Sequence, residues 1–125
     1  VPTLAAKLGF TPETRGLVVG AAPAEIVDQF FAADRRPTAA PYDVILAFCP
    51  DVAALHHHVE RLAARLATTG GLWLCWPKRS SGFVTDVTEA AVRACGLDAG
   101  LVDNKIAAID ETWSALRFVR RLADR

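Results

Sequence analysis

Three stretches of the chain, Gly16-Leu17-Val18-Val19-Gly20, Tyr42-Asp43-Val44-Ile45-Leu46-Ala47-Phe48 and Leu72-Trp73-Leu74-Cys75-Trp76, are apolar almost throughout instead of alternating with polar residues. A β-strand with one wet face alternates, so a continuous run is buried on both faces. Such strands need helices above and below them, and the segments between these runs are each long enough to carry one. The expectation is an α/β domain whose sheet is mostly parallel, with right-handed crossovers.

Leu4 to Leu8 reads as a short helix stopped by Gly9, where a left-handed residue ends a helix. Ala24 to Phe31 is a second, with Ile26, Val27, Phe30 and Phe31 as its apolar face. Ala32 to Pro41 is irregular, with room for a short edge strand. Asp51 is placed to cap a third helix. Along it Val52, Leu55, Val59, Leu62 and Leu66 recur at spacings of three and four, and Gly70-Gly71 is the expected stop. Asp86 with Glu89 three residues later has the form of a capping box, opening a fourth helix that reaches Cys95 and halts at Gly96. Asn104 to Ile109 and Trp113 to Arg121 read as the fourth and fifth strands. Only Asp110-Glu111-Thr112 joins them, so they pair antiparallel, because a parallel pair needs a crossover of about a dozen residues. One domain is expected to span residues 1–125.

Apolar residues make up 52% of the chain and charged residues 22%, which suffices for a buried core. Fourteen Lys and Arg balance fourteen Asp and Glu, leaving no net field to recruit nucleic acid or an anionic membrane. No apolar run is long enough to span a bilayer and no basic–apolar–small leader is seen, so a cytoplasmic location is expected. Cys49, Cys75 and Cys95 are odd in number and lack C-x-x-C spacing, which fits buried, reduced thiols. At about 100° per residue, His56, His57 and His58 fan out around the third helix, and no metal site is expected. Arg117, Arg120, Arg121 and Arg125 form a cationic excess, with Arg120 on the opposite face from Arg117 and Arg121; this reads as a solvated edge.

From Tyr42 the strand YDVILAF, a helix rich in Leu and Arg and the run TTGGLWLCWP resemble the second half of a class I methyltransferase domain. LAAKLGFTPETRGLVVGAAP is similar to its lead-in and first strand. More closely, GLWLCWPKRSSG, TDVTEAAVRACGL and DNKIAAIDETWSALRFVRR resemble a group of small bacterial proteins classed as a domain of unknown function, number 3052 in its series. The resemblance implies a three-layer Rossmann-like sandwich of about five strands in the order first, second, third, fifth, fourth, ending in an antiparallel hairpin. It implies no established activity. Working methyltransferases of this fold have spaced glycines after the first strand and an acidic residue that holds the ribose of S-adenosylmethionine. Here the loop is Gly20-Ala21-Ala22-Pro23, and only ten residues separate Phe31 from Tyr42, where a strand, a helix and another strand belong. The chain therefore reads as a degenerate methyltransferase-like module with no cofactor and no catalytic set. It would bind a small anion, a nucleotide or another protein, and a homo-oligomer is compatible with it. The alternative is a minimal group-transfer enzyme such as an S-adenosylmethionine-dependent methyltransferase.

In open parallel sheets ligands bind outside the carboxyl ends of the strands. Four loops should meet there: Gly20 to Pro23, Cys49 to Asp51, Lys78 to Val84, and the hairpin Asp110 to Trp113. Lys78, Arg79, Ser80 and Ser81 combine cations and hydroxyls ahead of a helix, the composition of an anion cradle. Asp110 and Glu111 face them from the hairpin, either of them able to pair with Lys78. Trp113 is the aromatic expected to be open to a ligand. With Gly20, these residues make the candidate rim. Cys49, without a neighbouring His, reads as a structural thiol.

Overall fold

The structure, a computed structural model, describes residues 3–125. Five strands form one mixed sheet, β1 (Gly16–Gly20), β2 (Tyr42–Phe48), β3 (Leu66–Pro77), β4 (Leu101–Ala108) and β5 (Trp113–Arg120). Their order is β1-β2-β3-β5-β4. The expectation of a mostly parallel sheet is met in part: β1–β2 and β2–β3 pair in parallel, while both pairings of β5, with β3 and with β4, are antiparallel. The edge strand allowed for after the second helix is reduced to one parallel bridge between Leu17 and Asp34.

Alternation along the strands sends two sets of side chains to opposite faces. On one face Leu17, Ile45, Leu72, Leu74, Trp76, Leu116 and Phe118 pack beneath α3 (Val52–Leu62) and α4 (Glu89–Asp98). On the other, Val18, Val44, Leu46, Phe48, Trp73 and Trp113 meet Leu8, which follows α1 (Leu4–Lys7), together with Ile26 of α2 (Ala24–Gln29) and Phe30 just beyond it. Trp73 and Trp76, three apart on β3, thus serve different cores. Leu55, Val59 and Leu62 of α3 are buried, each contributing about 1.5–3 kcal/mol by leaving water. The two faces are unequally covered, because α1 and α2 are four and six residues long against eleven and ten for α3 and α4. Among the described residues no helix is long and apolar enough to cross a membrane.

Several element boundaries differ from the sequence expectation, and the largest differences have non-local causes. The third helix does not run to Gly70-Gly71. It ends at Leu62, and β3 begins at Leu66, in register with Tyr42. The Arg120 guanidinium takes the carbonyls of Leu66 (2.6 Å) and Ala63 (3.4 Å), acceptors that further helical turns would have used. The fourth helix is capped by Thr88, whose Oγ1 accepts from Ala91 N, and not by Asp86. Asp86 is spent on α3, where its Oδ1 accepts from Val52 N at 2.9 Å. That helix passes Gly96 to reach Asp98, since Gly96 lies against the Phe118 ring, where a larger residue would collide. β4 starts three residues early, at Leu101, with a register shift between Asp103 and Lys105.

Candidate functional site

β1 delivers Gly20 to the carboxyl edge in a left-handed conformation, φ +87°, which favours glycine. A Cβ there would lie 2.3 Å from the Phe48 carbonyl and 2.9 Å from His58 Nε2, so strand β2 and helix α3 already fill the space beside it. The next turn is closed by Ala22 N donating to the Gly20 carbonyl at 2.9 Å. His58 is half-buried, and burial, with the charges of His57 and Arg61, pulls its imidazole below the ordinary range.

β3 ends at Pro77, paired in register with Trp113. Lys78 N donates to the Thr112 carbonyl at 2.7 Å, and Lys78 Nζ to the Asp110 carbonyl at 2.8 Å. The Lys78 loop and the hairpin therefore do meet, although the ammonium contacts a backbone carbonyl and not the expected carboxylate. The Asp110 carboxylate is occupied differently: its Oδ1 accepts from Thr112 N and Trp113 N, at 2.8 and 2.7 Å, and holds the turn. Glu111 is exposed beside it. Ser81 Oγ donates to the Lys78 carbonyl and accepts from Phe83 N, while Ser80 and Arg79 stay exposed.

Trp113 overturns the expectation of an accessible aromatic. It is buried, edge-on to Phe48 at 5.0 Å and covered by Phe83 at 5.8 Å. The loop then crosses to β2, where Thr85 Oγ1 donates to the Pro50 carbonyl at 2.7 Å. This crossing was not visible in the sequence, because the partners lie 35 residues apart.

Two cavities open at this rim. One, about 490 Å³, has Glu25, Asp110 and Glu111 in its wall and so repels anions. The other, about 400 Å³, is lined by Lys78, Arg79 and Ser114 and by Thr88, which caps α4, and Glu89, its first residue. Glu89 pairs with Arg93 at 3.3 Å, and among the described residues no carboxylate comes within ion-pair distance of Lys78 or Arg79.

Cys49 lies beneath the rim, its N donating to the Cys75 carbonyl at 2.8 Å. Burial, with smaller contributions from Cys95 and Asp51, pushes its thiol up to about 12, and burial raises Cys75 in the same direction. Neither supplies a thiolate near neutral pH. His57 is exposed, 3.4 Å from Arg61, and His56 Nδ1 lies 3.5 Å from Cys95 Sγ. Among the described residues, no three His, Cys, Asp or Glu side chains gather as metal ligands would.

A sheet of this order, with the last strand reversed and inserted between the third and fourth, has the class I methyltransferase fold. Solved structures with that fold bear this out. The ribosomal protein L11 methylase of Lactobacillus delbrueckii subsp. bulgaricus superposes with a TM-score of 0.64 at 9% identity, over 94% of this chain and 77% of that one. Magnesium protoporphyrin IX methyltransferase of Synechocystis PCC 6803, with bound S-adenosylmethionine, gives 0.61 at 14% identity, over 94% and 74%. N-methyltransferase NodS of Bradyrhizobium japonicum WM9 gives 0.52 at 16% identity, over 84% and 85%. Identities this low establish the fold alone. No protein-family model and no curated protein matches the sequence, so the closer resemblance to the group numbered 3052 is not confirmed.

The residues present do not fit the cofactor that this fold implies. Ala21 and Ala22 carry side chains and Pro23 has no N–H, at the place where glycines let a nucleotide approach. The acidic residue between α2 and β2 is Asp34, and it serves the fold instead. Its Oδ2 accepts from the Tyr42 hydroxyl at 2.5 Å and lies 3.8 Å from Arg15, which precedes β1 and so sits at the amino end of that strand.

Proposed function

We propose that this chain is a binding module on a methyltransferase fold, one that takes a small anion in the basic cleft at the carboxyl rim and transfers no methyl group. The observation that carries this reading is the 400 Å³ cleft in which Arg79, exposed and without a carboxylate partner, stands beside Lys78 and Ser114 at the start of α4. An arginine fork pairs bidentately with phosphate or carboxylate oxygens, and the first turn of a helix adds favourable N–H dipoles. The tied-down Lys78 ammonium supplies a fixed second charge.

The reading is tested by calorimetry with nucleoside monophosphates, inorganic phosphate and S-adenosylmethionine, on the wild-type protein and on Arg79→Ala. A nucleotide that binds the wild type and loses about tenfold or more in affinity with Arg79→Ala supports it, since one charge-assisted pair is worth at least that factor. Micromolar binding of S-adenosylmethionine would replace it with the minimal methyltransferase. Anion binding indifferent to Arg79→Ala would remove the cleft as the site.

A further inference from the structure

The less covered face of the sheet holds a further cavity, about 450 Å³, remote from the rim. Its wall includes Lys7 at the end of α1, Asp43 of β2, Thr69 and Trp73 of β3, Lys105 of β4 and Arg117 of β5. In the sheet register Trp73, Arg117 and Lys105 form one row, each the direct partner of the next. Cβ atoms of such partners stand about 5 Å apart, and like charges placed directly opposite destabilise a sheet. The fold accepts that cost here without an internal counter-charge. The ion pairs among the described residues involve Arg15 and Arg93, and none reaches Lys7, Lys105 or Arg117. Among the described residues Asp43 is the carboxylate in the wall, and its Oδ2 accepts from Arg15 N at 2.9 Å.

Two local features build this row. Residues two apart on a strand share a face, so Lys105 would ordinarily lie on the side of Asp103, which pairs with Arg93 of α4 at 3.1 Å. The irregularity between Asp103 and Lys105 breaks the alternation and turns Lys105 to the open face beside Arg117. Gly71 of β3 provides the seat for the guanidinium, since a Cβ there would come within 2.3 Å of Arg117 Nε. Arg120, three residues on and facing the opposite way, shows how this fold satisfies a half-buried arginine: two carbonyls meet it. Arg117 is half-buried with no such acceptor among the described residues, and burial, together with the charge of Arg125, disfavours its charged form.

We infer that Lys7, Lys105 and Arg117 form a binding site for a multiply charged phosphate group, with Arg117 as the bidentate anchor. A dianion supplies the missing counter-charge to the cross-strand pair, and a cavity of this size takes a phosphate together with a small organic body. Free phosphate and a phosphorylated metabolite share this chemistry, and Asp43 in the wall limits the site by repelling anionic groups placed beside it.

The test is isothermal titration with sodium phosphate and pyrophosphate against sodium chloride of matched ionic strength. The proteins are the wild type, Arg117→Ala, Lys105→Glu, Gly71→Ala and Arg79→Ala. Arg79→Ala should retain a phosphate site that Arg117→Ala weakens, whatever the rim cleft itself contributes, which separates this site from the cleft. Arg117→Ala should weaken binding about tenfold or more. Lys105→Glu should abolish binding while raising the melting temperature, because it converts a repulsive cross-strand pair into an attractive one; a mere structural role for Lys105 would not combine those effects. Gly71→Ala keeps the charges and displaces the guanidinium, so it should weaken binding with the fold retained. Pyrophosphate binding stronger than phosphate would favour an ester or diphosphate source over the free ion. Absence of phosphate and pyrophosphate binding, or binding unaffected by Arg117→Ala and Lys105→Glu, would overturn the inference. Loss with Arg79→Ala alone would assign the anion to the rim instead.

Discussion

At the carboxyl rim Lys78 gives its ammonium to the Asp110 carbonyl, Asp110 gives its carboxylate to the hairpin, and Thr85 and Asp86 tie the loop to Pro50 and Val52. Across the open face Lys7, Lys105 and Arg117 surround a cavity with no ion-pair partner among the described residues. The rim is where this fold ordinarily holds its ligand, yet here its polar groups largely satisfy one another and its aromatic is covered. The contrast shows that the position of a site in a fold and the availability of its groups are separate matters. Apart from the exposed Arg79 of the basic cleft, a rim that has been knitted into the structure should respond to substitution chiefly in stability, and a cluster left unpaired should respond chiefly in binding.

The largest effect should come from Trp113→Ala. It removes a buried ring packed between Phe48 and Phe83 and should cost about 3–5 kcal/mol in urea unfolding. A cost below about 1 kcal/mol would mean that Phe83 does not cover the ring and that the rim is open, erasing the difference between the two regions.

Next in size is a pH effect from the thiols under the rim. Folded Cys49 keeps its proton to about pH 12, whereas the unfolded chain releases it near the ordinary value of 9. Between these values the unfolded state binds fewer protons, so stability is fully present below pH 9 and falls as pH rises toward 12. The slope is about 1.4 kcal/mol per pH unit for one such thiol. Denaturant melts from pH 8 to 10.5 measure it, and Cys49→Ala should remove one thiol's share of the decline and leave that of Cys75. A curve unchanged by that substitution would show that the thiol is not buried.

The strands Gly16–Gly20 and Tyr42–Phe48 were legible to the residue, because an unbroken apolar run bounded by turn residues has few other readings. The meeting of Lys78 with the hairpin was legible too, since strand direction alone brings both to one edge. The first half of β3 was not. Leu66 continues the helical spacing of α3, and Ala67-Thr68-Thr69-Gly70-Gly71 has the composition of a turn; Tyr42 and Arg120, distant in sequence, decide the matter. Asp86 was misread for a related reason, its pattern with Glu89 being local while its true partner, Val52, lies 34 residues away. Arg117 was read with Arg120, Arg121 and Arg125 as a solvated edge, because it comes together with Lys7 and Lys105 only through the sheet order and one break in alternation.

The smallest expected effect sharpens the comparison most. Arg117 and Arg120 share β5, are both half-buried and differ in what they meet. Arg120→Ala strips the Leu66 and Ala63 carbonyls of a charged donor at the point where α3 gives way to β3, and should cost about 1.5–3 kcal/mol. Arg117→Ala removes no internal hydrogen bond and relieves the repulsion from Lys105, so its change should fall within about 0.5 kcal/mol of zero, or be stabilising. Paired urea melts in phosphate-free buffer read both values. With phosphate added, the wild type and Arg120→Ala should both gain stability, because a ligand that binds only the folded state shifts the melt by mass action, and Arg117→Ala should gain less because it lacks the anchor. An Arg117→Ala loss as large as that of Arg120→Ala in phosphate-free buffer would mean that Arg117 already has a structural partner, and the two regions would then differ in packing but not in readiness to bind.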